Sequence, residues 1–233
     1  MSGAEEKSNL PLPALTEVWT PVPPVVTVSP SGVPSDATVL FNGKDLNAWT
    51  SVKTPGAPAP WTIEGDAMVV SPKSGNIRTK AAFGDLQLHL EFRTPAEVKG
   101  KGQGRGNSGV FFMGIYELQV LDSHENPTYV NGQAASIYKQ HAPLVNASSK
   151  PGEWQTYDVI WTAPRFDPQG KLTSPARMTV FHNGVLVQHH AELQGGTVFR
   201  GPPSYKAHAA KLPLELQDHN NLTAFRNIWV REL

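Results

Sequence analysis

Apolar and polar positions alternate most regularly in residues 86–93. Leu86, Leu88, Leu90 and Phe92 share one face, and Gln87, His89, Glu91 and Arg93 share the other, which predicts a half-buried strand. A second alternation runs through residues 116–121, where Tyr116, Leu118 and Val120 point one way and Glu117 and Gln119 the other. It belongs to residues 105–123, RGNSGVFFMGIYELQVLDS, which read as two β-like segments joined through Met113-Gly114. Two hydrogen-bonding side chains thus stand side by side in the most apolar part of the chain. Further strands are predicted at 38–41, 61–63, 67–70, 76–79, 154–161, 176–182, 185–187, 212–217 and 225–230. In 154–161 the residues Trp154, Thr156, Asp158 and Ile160 share a side, and in 212–217 Glu215 and Gln217 oppose the leucines, with His219 following the same parity. Asn183-Gly184 between two β-rich runs predicts a type I′ hairpin. No segment holds a helical period over three turns. Many short strands punctuated by turns predict an all-β, jelly-roll β-sandwich with one core and a polar, concave face.

Residues 1–36 do not fit that pattern. Ten of the 21 prolines fall within residues 1–60, and proline withholds its N–H from a ladder. Residues 1–36 are expected to form a Pro-rich N-terminal arm or linker in which Trp19 packs, and residues 37–233 the sandwich domain. Basic and acidic residues balance at twenty each, so neither nucleic acid nor an anionic membrane is indicated as partner. The absence of cysteine removes disulfides, thiolate metal sites and thiol nucleophiles. No run approaches the roughly 18 apolar residues of a transmembrane helix, and MSGAEEKSNL lacks the basic and apolar regions of a signal peptide.

Candidate chemistry gathers around the central stretch. Glu117 and Asp122 form the nearest carboxylate pair, but the E-x-D-x-x-E spacing of laminarinase-like sandwiches is absent and Glu117 is followed by the amide of Gln119. The eight histidines form no HExxH and no zinc spacing; His219, closing LELQDH beside a polar face, suits a general base or a metal ligand. Arg105, near Asn107, and Arg226, inside the last strand, offer the rigid donor fork that binds oxyanions and sugars. Sugar recognition also needs aromatic platforms, for which Trp49, Trp61, Tyr138, Trp154 and Tyr205 are available.

These pieces together resemble the 3-keto-disaccharide hydrolase domain family. The matching stretches are LFNGKDLNAW at 40–49, Trp61 with IEGD at 63–66, IRTKAAFGDLQLHLEFR at 77–93, RGNSGVFF at 105–112, YELQVLD at 116–122, ASIY at 135–138, GEWQTYDV at 152–159, VFHNGV at 180–185, and LELQDH with FRNIWVRE in 214–232. The resemblance implies a concanavalin A-like sandwich whose concave face binds sugar, acting on 3-keto-glycosides in the periplasm or outside the cell. It carries Glu117, His219 and Arg226 over as catalytic candidates. Arg105, Asn107, Gln119, Asp122, Tyr138 and Gln217 carry over as candidates for binding a small carbohydrate substrate. Departures at Ala134-Ala135-Ser136, at Asn220 and at Met113-Gly114-Ile115 touch the expected pocket walls and leave the leaving-group preference open.

A ketone at C3 acidifies the C2 proton, so a base can generate an enolate that expels the anomeric substituent, and water then adds back. Glu117 or His219 is the candidate base. Arg226, Arg105 or a divalent cation is the candidate partner for the enolate oxygen. A non-catalytic carbohydrate-binding module is the alternative, and a structural or adhesion module stands third. The expectation common to the enzyme reading is that Glu117, Gln119, His219 and Arg226 meet in one hollow on the same sheet.

Overall fold

The alternation of residues 86–93 becomes the middle of a large antiparallel sheet. The computed structural model describes residues 12–233, and the chain divides into two units, Met1–Asp36 and Ala37–Leu233. In the first unit, residues 12–36 contain a short 3₁₀ turn at Leu12–Thr16. Trp19 is 79% exposed, and its indole N–H donates to Glu17 at 3.1 Å.

The second unit is built of strands: β1 (Thr38–Phe41), β2 (Trp49–Ser51), β3 (Thr62–Glu64), β4 (Ala67–Val69), β5 (Ile77–Thr79), β6 (Leu86–Arg93), β7 (Ser108–Phe112), β8 (Tyr116–Val120), β9 (Gln155–Thr162), β10 (Arg165–Phe166), β11 (Leu172–Ser174), β12 (Arg177–His182), β13 (Val185–Glu192), β14 (Glu215–Leu216) and β15 (Ala224–Glu232). An eight-stranded sheet runs β13-β12-β9-β6-β15-β4-β3, with β1 also pairing β15, and a five-stranded sheet runs β2-β5-β14-β7-β8. β10 and β11 form a separate hairpin. The two large sheets face each other as a jelly-roll sandwich of the concanavalin A type. Among the described residues no helix is long and apolar enough to cross a membrane.

One core lies between the sheets. Leu86, Leu88, Leu90 and Phe92 of β6 meet Tyr157, Val159 and Trp161 of β9 and Phe225, Ile228 and Val230 of β15 from one side. Val110, Phe112, Tyr116, Leu118, Val120 and Leu216 close it from the other. Each such side chain contributes ~1.5–3 kcal/mol by leaving water. Phe112 and Tyr116 pack their rings on Trp161, with centroids 5.0 and 5.3 Å away, so the aromatics couple the sheets directly.

Local geometry follows the residue types. Asn183 and Gly184 both take positive φ, 51° and 76°, as a type I′ turn between β12 and β13 requires. The expected strand at 212–217 is reduced to the two residues of β14, although Phe83 and Leu212 bridge just before it. In β9 Tyr157, Val159 and Trp161 point inward, so Thr156, Asp158 and Ile160 face out. β15 carries a bulge between Arg226 and Trp229, where Asn227 sits at φ 47°.

A candidate active site on the outer face of the five-stranded sheet

Parity fixes what β8 presents. With Tyr116, Leu118 and Val120 turned into the core, Glu117 and Gln119 stand on the outer face of the five-stranded sheet. β8 is the edge strand, and its free edge is covered. Gln119 N–H donates to Ser136 O at 3.0 Å, Ala135 N–H to Gln119 O at 3.0 Å, and Tyr138 N–H to Glu117 O at 3.2 Å. Glu117 N–H donates to the Thr197 hydroxyl at 2.9 Å. The Tyr157 hydroxyl reaches from β9 to donate to Gln119 O at 2.8 Å. The strand that holds the site is thereby fixed from its flank and from beneath.

Over this face opens a cavity of about 790 Å³, within the range that takes small organic ligands. Its lining includes Asn107, Glu117, Gln119, Tyr138, Gln217 and His219, so six of the residues expected from the sequence converge there. Phe111, Tyr129, Thr197, Phe199, Gln103 and Gly104 complete the wall.

Glu117 lies low in the cavity and is only 4% exposed. It can lie there because residue 109, on the neighbouring strand β7, is glycine: a Cβ would come 2.6 Å from Glu117 Oε1 and 3.0 Å from the Phe111 ring. The Gln119 amide nitrogen donates to Gln103 Oε1 at 3.0 Å; with the amide turned over it would donate instead to Glu117 Oε1 at 3.1 Å and to Ser108 O at 3.0 Å. Among the described residues no arginine or lysine lines the cavity; the Lys139 ammonium lies against the Phe199 ring, 4.2 Å from its centroid, and donates to Phe199 O. Burial without a cation pushes the Glu117 carboxyl up to about 8, so it carries its proton at neutral pH. Tyr138 is raised too, by burial first, then by its 2.6 Å hydrogen bond with Tyr129 and by the nearby Glu117.

The other polar groups frame this carboxyl. Asn107 is buried and donates to Gln103 O at 2.7 Å. Gln217 Oε1 is buried without a hydrogen-bond partner in the protein. His219 stands exposed on a tight turn in which Asp218 Oδ1 accepts from Asn220 N–H at 2.9 Å and Asn221 donates to His219 O at 2.8 Å.

Three expected site residues are placed elsewhere. Arg226 belongs to β15 in the eight-stranded sheet; Phe225 before it points into the core, so Arg226 points out, away from the cavity. It pairs with Glu91 directly across the strands at 2.7 Å and with Asp66 at 2.8 Å, and lies 4.1 Å over the Trp154 ring. Arg105 and Asp122 bind each other at 2.5 Å, and Arg105 also donates to His124 O at 2.9 Å. This pair ties the approach to β7 to the end of β8 and lines an adjoining hollow instead. The expectation that Arg226 joins Glu117, Gln119 and His219 on one sheet is therefore corrected.

Of the five available aromatics only one serves the cavity. Trp49 and Trp61 are core, Trp154 lies under Arg226, and Tyr205 donates to Leu193 O. Tyr138 alone of that set lines the cavity, joined by Phe111, Tyr129 and Phe199. Phe111 was legible in principle, because it opposes Glu117 across the β7–β8 hairpin. Thr197 and Phe199 lie in a loop with no periodic signal.

Among the described residues no three His, Asp or Glu side chains converge on a point that would hold a metal ion. A divalent cation in the cavity would have the Glu117 carboxylate and the His219 imidazole as its ionisable donors from this chain.

A concanavalin A-like sandwich with a ligand-sized hollow on its smaller sheet places the chain among glycosidase-like β-sandwich domains. Residues 36–231 match the sequence profile of the 3-keto-alpha-glucoside-1,2-lyase-like domain, and the chain belongs to that family. The crystal structure of a candidate glycosyl hydrolase from Parabacteroides distasonis is 48% identical, with a TM-score of 0.91 over 94% of this chain and 96% of that one. Two further candidate glycosyl hydrolases of the same organism share the fold: one at 18% identity and TM-score 0.62 over 85% and 94% of the two chains, the other at 21% and 0.56 over 84% and 99%. No curated protein matches the chain.

Proposed function

We propose that this domain cleaves 3-keto-glycosides by elimination across C1 and C2 followed by addition of water. The observation that carries the reading is Glu117, a buried carboxyl in a cavity that no arginine or lysine lines among the described residues, protonated at neutral pH. A conventional glycosidase sets two carboxyl groups across the scissile bond; the lining of this cavity supplies one. A neutral carboxylic acid in a desolvated site is suited instead to donate a hydrogen bond to a ketone oxygen that becomes an enolate. With Arg226 and Arg105 engaged elsewhere, Glu117 takes the electrophile's role. His219, at the mouth, is the group that removes the C2 proton.

Electrons and protons balance across substrate, base and water. His219 takes the C2 proton and the C2–H electrons form the enolate; the enolate expels the C1 substituent, which takes up that proton and leaves as an alcohol; the hydroxyl of a water adds to C1 of the enone and its other proton returns to C2. The Gln217 and Asn107 side chains serve as partners for ring hydroxyls, and Phe111, Tyr138 and Phe199 as surfaces for the apolar face of the sugar.

The test is product analysis on methyl 3-keto-glucoside and on unoxidised methyl glucoside, with and without chelator. Turnover of the oxidised substrate alone is expected, with His219→Ala and Glu117→Gln each lowering kcat/KM by ~100-fold or more. Cleavage of the unoxidised glycoside, or full activity in both variants, would overturn it. Binding of either sugar without turnover would make the domain a carbohydrate-binding module.

A further inference from the structure

Phe199 is a large apolar side chain left 66% exposed on the wall of the cavity, and the loop that carries it is closed at its neck. Gly196 N–H donates to Ser204 O at 3.1 Å, and a Cβ on Gly195 would come 2.3 Å from the Ser204 carbonyl carbon, so glycine lets the two ends of the loop meet. Thr197 ties the near limb down: its N–H donates to Ile115 O at 2.9 Å and its hydroxyl accepts from Glu117 N–H. Beyond Thr197, among the described residues, 198–203 make one hydrogen bond, accepted by Phe199 O from the Lys139 ammonium at 2.6 Å.

The same ammonium lies 4.2 Å from the centroid of the Phe199 ring, and 5.7 and 5.8 Å from those of Tyr129 and Tyr138. Lys139 thus grips both the backbone and the ring of Phe199 while facing the two tyrosines. Its own backbone is anchored, with its N–H donating to Asn131 O at 2.7 Å. Gln140, next in the chain, holds the neck by donating to Gly195 O at 2.9 Å and accepting from Gln194 N–H at 2.7 Å. Arg200 also lies 5.8 Å from the Phe199 ring, but it is part of the same loop. The cavity lining includes Tyr138 and Phe199 and not Lys139 itself. Resting on the reading above, we infer that Lys139 is a positioning residue: it holds Phe199 as a wall over the sugar, and so sets sugar binding through Phe199 without touching the substrate.

Trypsin reads this latch without any ligand, because the Arg200–Gly201 bond lies in the loop. Lys139→Met keeps an unbranched stem and removes the charge and the donor. Cleavage at that bond, followed by mass spectrometry, is expected to quicken ~10-fold, since a charge-assisted hydrogen bond and a cation–π contact are both lost. Cleavage at the exposed Lys171–Leu172 bond should keep its rate. An unchanged rate at Arg200–Gly201, or equal acceleration at both bonds, would overturn the latch. On methyl 3-keto-glucoside Lys139→Met should raise KM ~10-fold and leave kcat within about 3-fold. In the Phe199→Ala background the same change should have no further effect. An unaltered KM, a loss carried by kcat, or a loss of undiminished size in that background would overturn the assignment. The two readings fail separately. If neither turnover nor sugar binding by calorimetry is found, the proposed function falls, and the Arg200–Gly201 bond still decides whether Lys139 holds the loop.

Discussion

Glu117 concentrates the chemistry in one residue, and its environment makes a pH-dependent statement. The folded protein holds its proton up to about pH 8 and the unfolded chain only up to about 4.5. The folded state therefore binds the extra proton within that window, and stability falls as pH rises through it. The slope has a ceiling of ~1.4 kcal/mol per pH unit. Buried His182, pushed down to about 4 from 6.5, acts in the opposite direction, with stability lost as pH falls through that lower window. Denaturant titrations between pH 6.5 and 8 should show the native protein losing stability while Glu117→Gln loses less; parallel curves would refute the buried acid. On the activity side, kcat/KM for a 3-keto-glycoside should decline as pH rises through about 8, because ionisation removes the hydrogen bond to the ketone. A rate climbing through the same pH would assign Glu117 as the base.

At the scale of elements, two arginines that looked alike in sequence have separate jobs. Arg226 sits opposite Glu91 in the eight-stranded sheet, where partly exposed cross-strand ion pairs contribute ~0.2–1 kcal/mol. Arg226→Met is expected to keep kcat/KM within about 3-fold while lowering stability by ~1 kcal/mol. A 100-fold loss of activity would restore it to the site. Arg105 shields Asp122, which is buried. Arg105→Ala leaves that carboxylate without its cation and should cost ~3 kcal/mol, read as a shift of the urea midpoint. The strand parities that separate these roles were legible: β6 and β8 follow their alternation, and the Asn183-Gly184 turn follows its residues. Sheet membership was not, since period-2 alternation says which face a side chain takes but not which of two sheets the strand joins. That is why the polar faces of β6, β8 and β15 read as one surface from the sequence and lie on two sheets in the fold.

Across the whole molecule, the site depends on contacts far apart in the chain. Gly109, Glu117, Gln217 and Thr197 meet because β7 pairs both β8 and β14, and because the loop carrying Thr197 folds back on the edge of β8. The motif residues Glu117, Gln119, Gln217 and His219 announced the cavity; Thr197 and Phe199, in a loop placed by tertiary packing, carried no local signal. The most direct measurement is turnover of a methyl 3-keto-glucoside in D₂O, quenched early and corrected for exchange without protein. Elimination and rehydration should leave one deuterium at C2 of the released 3-keto-sugar, a mark that His219→Ala should erase together with turnover. Released sugar that keeps protium at C2 would show that the glycosidic bond breaks without C2 proton abstraction and would contradict the proposed role of this cavity.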